Sequence, residues 1–156
     1  MKLKKISIAA CFCALLPLAA LAQEPEELVI SDAWVRALPP GQPNTAAYLT
    51  ITNSGGSTHS LVGGSSDIAG EVQIHTTLEV EGYQRMERLE QVDLLPGQSV
   101  VFAPGGTHLM LLGLTKMPAP GEQVSLCLQV LDGGEVCTTA AVRKAAGQSS
   151  HEHHQH

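Results

Sequence analysis

The chain has 156 residues, of which 15% are charged and 3% are aromatic, and its formal net charge at pH 7 is −6. A chain of this length fits one domain, and an acidic, aromatic-poor composition argues against nucleic acid or an anionic membrane as partner. Acidity also fits a cationic ligand, although many exported proteins are acidic for solubility alone.

The first 22 residues have the organisation of a secretory signal peptide. Three lysines lie within the first five residues, residues 6–21 are largely apolar, and small residues occupy the −3 and −1 positions of a cleavage site that ends at Ala22. The apolar run is shorter than the roughly 20 residues of a membrane span. These features predict export to a bacterial periplasm, although composition alone would also fit a eukaryotic secretory route. A faint lipoprotein box ends at Cys11, but it lies too close to the lysines to favour a lipid anchor.

Cleavage after Ala22 would leave 134 residues and, with three lysines lost, change the formal charge from −6 to −9. We expect residues 23–143 to form one domain and residues 144–156 to form a polar tail. No second long apolar stretch follows, so the processed chain has no predicted membrane span. We expect a monomer.

From residue 28 onwards, short apolar runs alternate with polar residues and are separated by clusters of Gly, Pro, Asn and Ser. No window of ten or more residues has a convincing helical period. The pattern predicts an all-β fold of about eight or nine short antiparallel strands, either an Ig-like β-sandwich or a barrel. The predicted strands lie near residues 28–36, 46–52, 59–63, 71–77, 83–90, 98–102, 108–112, 122–130 and 135–142.

The central part of the chain carries two imidazoles and two thioethers at His75, Met86, His108 and Met110. Residues i and i+2 of a strand share a face, so His108 and Met110 form a two-residue clamp. A two-residue turn at Glu81-Gly82 would place His75 and Met86 on one face, whereas a three-residue loop would place them on opposite faces.

These ligand types indicate a soft, monovalent metal ion. Thioether sulfur binds Zn(II), Mg(II) and Ca(II) poorly, whereas imidazole with thioether suits Cu(I), with Ag(I) as a mimic. The set lacks a thiolate, so a blue-copper electron-transfer site is not expected. Taken singly, a methionine in a strand is more often core filler, and a lone histidine is more often a surface residue.

The spacing of the four residues resembles that of the periplasmic copper chaperones of the PCuAC family. The family pattern is His-x10-Met-x21-His-x-Met, and both gaps have this length here. The resemblance extends roughly from residue 30 to residue 142. It includes Ala33-Trp34-Val35-Arg36 before Pro39-Pro40, the run from Ala46 to Asn53, and the run from Pro104 to Leu111.

The resemblance implies a cupredoxin-like β-sandwich that binds Cu(I) through these four side chains at an exposed site. It also implies delivery of copper to a cuproprotein, above all the binuclear copper centre of cytochrome c oxidase, alongside Sco-type proteins. Some members of the family carry a methionine directly after the first histidine, where this chain has Thr76. Met117 lies outside the motif, and we expect it to pack or to face solvent.

The last six residues contain four histidines, His151, His153, His154 and His156. A His-rich tail is a possible site for borderline divalent ions, Cu(II) above all. One hypothesis is that the tail collects Cu(II) while the folded domain holds Cu(I). The alternative is an inert tail.

Two cysteines, Cys127 and Cys137, remain after the predicted cleavage. A three-residue hairpin loop at 131–133 would place them directly opposite one another, which makes a disulfide feasible in an oxidising compartment. Free thiols and a redox pair remain open, although the spacing is not Cys-x-x-Cys.

Two other function classes stay open at this point. One is an exported β-sandwich that binds or adheres, in which the His/Met set is coincidental. The other is a copper-dependent oxidoreductase, which the missing cysteine ligand and the lack of a catalytic motif disfavour. We therefore expect a copper-binding carrier rather than an enzyme.

Overall fold

The computed structural model describes residues 27–145, which form ten β-strands and contain no helix. The predicted all-β fold is confirmed, and most strand bounds agree to within a few residues. The additional strand is β6, whose three residues are too few to give an alternating pattern. The strands are β1 Leu28–Arg36, β2 Thr45–Asn53, β3 His59–Ser66, β4 Glu71–Val80, β5 Tyr83–Leu89, β6 Val92–Leu94, β7 Ser99–Phe102, β8 His108–Leu112, β9 Gln123–Val130 and β10 Glu135–Arg143. Within residues 27–145 there is no helix long and apolar enough to cross a membrane.

The strands are ordered β5-β4-β8-β2-β1-β10-β9-β3-β6, with β7 paired to β2. An additional pairing of β3 with β4 brings the sheet back onto itself, so that it encloses one core as a β-sandwich. The pairings are antiparallel, as expected, except that β1 and β10 run parallel. This parallel pair joins the first and last strands of the domain.

Strand alternation separates the core from an outer face that carries the polar motif residues. In β8, Leu109 and Leu111 are fully buried in the core, whereas His108 and Met110 point to the opposite face. In β4, Ile74 is buried in the same core, and this places His75 on the outer face as well. We call this surface of β5, β4, β8, β2, β1 and β10 the outer face.

The β4–β5 hairpin has the predicted two-residue turn. Glu81 and Gly82 have φ angles of 52° and 81°, as a type I′ turn requires at both central positions. Val80 therefore pairs with Tyr83, and the register continues to the pair of Thr77 with Met86.

The two cysteines lie on a different hairpin. Cys127 of β9 pairs directly with Cys137 of β10, which is the predicted register, and their sulfurs form a disulfide. Leu126 and Leu128 on either side of Cys127 are core residues, so the disulfide lies outside the core. In strand order, β10, β1 and β2 separate Cys127 from β8. The disulfide therefore links β9 to β10 covalently and does not involve the four motif residues.

Gly64 of β3 lies where β3 closely approaches β9 and β4, and its substitution tests this packing. A Cβ at this position would lie 2.5 Å from the carbonyl oxygen of Cys127 and 3.1 Å from Cγ1 of Val72. We expect Gly64→Ala to lower the free energy of unfolding by about 1–3 kcal/mol, because backbone must move. Urea unfolding measures this change. Gly56→Ala is the control, since no atom lies within 4 Å of its Cβ position. Equal midpoints for the two variants would contradict the packing.

Candidate metal centre

Two histidines face each other across neighbouring strands of the outer face. His75 of β4 pairs with His108 of β8, and their ring centroids are 6.2 Å apart at an interplanar angle of 46°. His108 is only 4% exposed, whereas His75 is half-buried. The pairing brings together two side chains that are distant in sequence.

The two methionines flank this histidine pair on opposite sides. Met110 is half-buried, follows His108 on the same face of β8, and lies opposite Gln73. Met86 is 53% exposed and lies opposite Thr77, which places it diagonal to His75. All four motif residues therefore share the outer face.

The methionines are the most widely separated pair of the four. They lie two strands apart laterally and four residues apart along β4, or about 16 Å between Cα atoms in a regular sheet. The structure thus groups His75, His108 and Met110 more closely than it groups Met86 with Met110. For both sulfurs to bind one ion, the Met86 and Met110 side chains would have to extend toward the histidine pair between them.

A backbone hydrogen bond fixes which nitrogen of His108 can bind a metal. Nδ1 of His108 lies 2.8 Å from the carbonyl oxygen of Gly106, which can only accept, so Nδ1 carries the proton. Nε2 is then the atom with a free lone pair. Metal-bound histidines in proteins usually donate their other N–H in this way.

His75 is fixed in the complementary tautomer. Its Nε2 donates to Oε1 of Gln73 over 2.8 Å, because Nε2 of Gln73 donates in turn to Oε1 of Glu71 over 2.7 Å. The amide of Gln73 thus presents its oxygen to the imidazole. Nδ1 of His75 keeps a lone pair, and this atom is buried and has no hydrogen-bond partner. An unpaired buried acceptor is costly, and a bound metal ion would satisfy it.

The electrostatic surroundings favour the neutral form of His75. Burial lowers the pKa of His75 below its usual value, and nearby His108 and Arg88 lower this pKa further. A metal ion binds only the neutral imidazole, so protons compete less with the metal than they would at an unperturbed histidine.

The arrangement suits a soft ion of low charge. The available donors are two neutral nitrogens and two neutral thioether sulfurs, the combination that favours Cu(I). The two sulfurs of Cys127 and Cys137 lie close to a carboxylate of Glu135, but they are bonded to each other and cannot act as thiolate ligands. Two observations indicate that these residues suit a Cu(I) ion: the chemistry of the four donors and the unpaired lone pair on Nδ1 of His75.

Two contributors to the site were not predicted from the sequence. Gln73 orients His75. It could have been identified from the sequence, because residues i and i+2 of a strand share a face. Tyr48 of β2 lies beside His108, with ring centroids 6.4 Å apart, and it is 3% exposed. Its proximity depends on the pairing of β2 with β8, which no local pattern indicates.

Two further potential ligands among the described residues, Met117 and His59, lie away from this centre. Met117 is 8% exposed and packs beneath a surface cleft, in agreement with a packing role. His59 forms an ion pair with Glu27 at 3.0 Å on a different part of the surface. The tail histidines His151, His153, His154 and His156 lie outside the described residues.

Gln73 provides a test of the tautomer assignment. We expect Gln73→Leu to release Nε2 of His75, mix the two tautomers and weaken Ag(I) binding by about 10–100-fold. Nitrogen NMR of the histidine rings in the metal-free protein reports the tautomer directly, and Gln73→Glu should preserve it because an acceptor remains. Gln84→Leu, on the same face nearer the turn, is the control. Unchanged ring nitrogen shifts in Gln73→Leu would contradict the assignment.

The chain matches a family of known sequences over nearly all its described residues. Residues 28–142 match the model of a family described as "Putative lipoprotein LpqE-like". A protein of Leifsonia xyli subsp. xyli, named "Putative lipoprotein Lxx21020", is 33% identical over 119 residues, which are 76% of this chain and 70% of that protein. "Uncharacterized protein RP573" of Rickettsia prowazekii is 36% identical over 69 residues, which are 44% of this chain and 38% of that protein.

Solved structures of PCuAC domains have the same fold. The copper-bound PCuAC domain from PmoF2 is 28% identical, with a TM-score of 0.63 over 76% of this chain and 94% of that one. The solution structure of CuI-DR1885 from Deinococcus radiodurans is 30% identical, with a TM-score of 0.59 over 80% of this chain and 83% of that one. The predicted resemblance to PCuAC domains is thus confirmed at the level of the fold. By its match over residues 28–142, the chain belongs to the LpqE-like family.

Proposed function

We propose that this protein is an exported copper chaperone that binds one Cu(I) ion through His75, Met86, His108 and Met110. The observation that carries the proposal is the pair of facing imidazoles with fixed tautomers, one of which presents a buried, unpaired Nδ1 atom. Two thioethers flank this pair on the same face. The copper-bound PCuAC structures support copper as the ligand, and the donor types support its monovalent state.

The graded exposure of the four ligands supports release by ligand exchange. Met86 is the most exposed ligand, and His108 is the most buried. An acceptor can replace the neutral thioethers at the edges of the site first and the imidazoles later. No bond to a charged thiolate has to be broken, so the ion can leave in small steps. This chemistry transfers an ion without redox turnover, and we propose a carrier rather than an enzyme.

The resemblance to PCuAC chaperones supports a cuproprotein as the acceptor. We propose the binuclear copper centre of cytochrome c oxidase as the destination, reached directly or together with a Sco-type protein. The acceptor must offer soft ligands of its own, because only these compete for Cu(I).

We propose that the protein acts in the periplasm after cleavage at Ala22. The signal-like residues 1–22 and the lipoprotein names of the family and of the Leifsonia relative support export. Those names are also compatible with the weaker alternative, which is lipid attachment at Cys11. The intact mass of the exported protein separates the two, since only the second leaves an acylated cysteine.

The competing function is an exported binding module without a physiological metal. In that case, the polar outer face would bind another molecule and the methionines would only fill space. The orphaned Nδ1 of His75 favours the metal site over this alternative.

Sulfur-deleting substitutions test the Cu(I) proposal. We expect the full chain to bind one Cu(I) at the folded domain, and Met110→Leu and Met86→Leu each to weaken binding roughly tenfold or more, because each removes one sulfur donor at nearly constant volume. Competition with a chromophoric Cu(I) chelator measures the affinity. Met117→Leu is the matched control. Equal affinities in all three variants, or no one-to-one complex, would reject the proposed ligand set.

We further propose that the tail histidines His151, His153, His154 and His156 collect Cu(II). Clustered imidazoles favour Cu(II) among the divalent first-row metals. A chain ending at Ser150 should bind less Cu(II) than the full chain and the same amount of Cu(I). Equal Cu(II) stoichiometry in the two proteins, measured by equilibrium dialysis, would show that the tail is inert.

A further inference from the structure

Beside the candidate metal centre, two arginines and two aromatic rings form a continuous row of contacts on the outer face. The rings of Trp34 and Tyr48 lie 4.4 Å apart between their centroids. Cζ of Arg143 lies 4.6 Å from the ring centroid of Trp34, and Cζ of Arg36 lies 5.3 Å from that of Tyr48. We call these four residues the arginine–aromatic patch.

The patch is contiguous with the proposed Cu(I) ligands. Tyr48 lies next to His108, so one ring belongs both to the patch and to the wall of the metal centre. Ala46, the next residue of β2 on this face, pairs with Met110. Arg36 lies opposite Ala46 on its other side, so Met110 and the patch are separated by one strand only.

No carboxylate among residues 27–145 pairs with the positive charges of the patch. Arg36 and Arg143 are register partners in the parallel pair of β1 with β10, an arrangement in which like charges repel. Within residues 27–145, neither arginine has a carboxylate within 4.0 Å, and the buried Nε of Arg36 has no hydrogen-bond partner. In contrast, Arg85 and Arg88 at the β4–β5 hairpin each lie near a glutamate.

This absence of partners is unexpected in a chain with 15 acidic and 9 basic residues. Stacking on a ring holds a guanidinium by its face and leaves its N–H edge free for a bidentate carboxylate. Lys116 and Lys144 line the adjacent cleft, whose volume is about 810 Å³, and they add positive charge beside the patch.

We propose that the arginine–aromatic patch docks an acidic segment of the protein that receives the copper ion; this inference rests on the proposed chaperone function. Tryptophan and arginine are among the residues that most often carry the binding energy of protein interfaces. Tyr48 is only 3% exposed, so its role is to support the neighbouring arginine and tryptophan. Complementary charge also steers a partner to the correct face and raises the association rate. An acceptor docked here approaches the metal centre from the Met110 side.

The only tryptophan of the chain, Trp34, lies in the patch and reports docking by its fluorescence. The probe, called the acidic peptide, is synthetic and carries two methionines, one histidine and flanking Asp and Glu residues. The control, called the neutral peptide, has Asn and Gln in place of Asp and Glu. The full chain is loaded with Cu(I), and stopped-flow fluorescence follows both docking and transfer. In the acidic chain, general charge repulsion would favour the neutral peptide, so a preference for the acidic peptide is diagnostic.

We expect transfer to the acidic peptide to be about tenfold faster than to the neutral peptide at about 20 mM salt, and this advantage to vanish near 0.5 M salt. Arg143→Gln and Arg36→Gln should each remove most of the advantage without changing the Cu(I) affinity. Arg85→Gln is the control with the same change of charge, because Arg85 lies on β5 beside Met86 and alternation points it to the opposite face. Arg143 is exposed, so its substitution is the safer test of the patch if Arg36→Gln folds poorly.

Equal rates for the two peptides, or an equal effect of Arg85→Gln, would overturn the docking proposal and leave the chaperone proposal intact. Titrations of the metal-free protein reveal the reverse case, in which the chaperone proposal fails and the docking proposal holds. If Cu(I) does not bind but the acidic peptide still changes Trp34 fluorescence in an arginine-dependent way, only the chaperone proposal fails. A response to vesicles of phosphatidylglycerol and phosphatidylcholine, with none to the peptide, would assign the patch to a membrane and overturn the proposal.

Discussion

The register of β4 against β8 is the constraint on which the metal centre depends. It sets His75 opposite His108 while Ile74 and Leu109, the next pair, are buried in the core. A shift of β4 by one residue would send the His75 imidazole into an apolar core and expose the large aliphatic side chain of Ile74. The hydrophobic core therefore fixes the geometry of a polar site that it does not touch.

Hydrogen bonds then select one nitrogen on each ring. A backbone carbonyl holds Nδ1–H of His108, whereas the side chain of Gln73 holds Nε2–H of His75. The two free lone pairs come from different ring positions, and the depressed pKa of His75 keeps its lone pair available. Imidazole orientation is thus largely set before a metal ion arrives, while the exposed Met86 on its hairpin retains freedom to move. A fixed imidazole pair together with a movable thioether suits a carrier that must both bind an ion and release it.

Much of the fold follows from local sequence patterns. Strand alternation and turn residues predict nearly all strand positions, and the turn at Glu81-Gly82 predicts the register of Thr77 with Met86. Pairings between distant strands do not follow from such patterns. The parallel contact of β1 with β10 brings Arg143 over Trp34, and the contact of β4 with β8 brings the two histidines face to face. The four motif residues were recognisable because their spacing resembles that of a known family, whereas the roles of Gln73 and Tyr48 emerge from strand pairing.

The proposed ligand set, two imidazoles and two thioethers on the outer face of the sandwich, can be read from X-ray absorption at the copper edge of the Cu(I)-loaded full chain. We expect two nitrogen and two sulfur scatterers, with one sulfur lost in Met86→Leu and one in Met110→Leu. A spectrum with nitrogen scatterers alone, unchanged by either substitution, would place the copper on other histidines and rule out this ligand set.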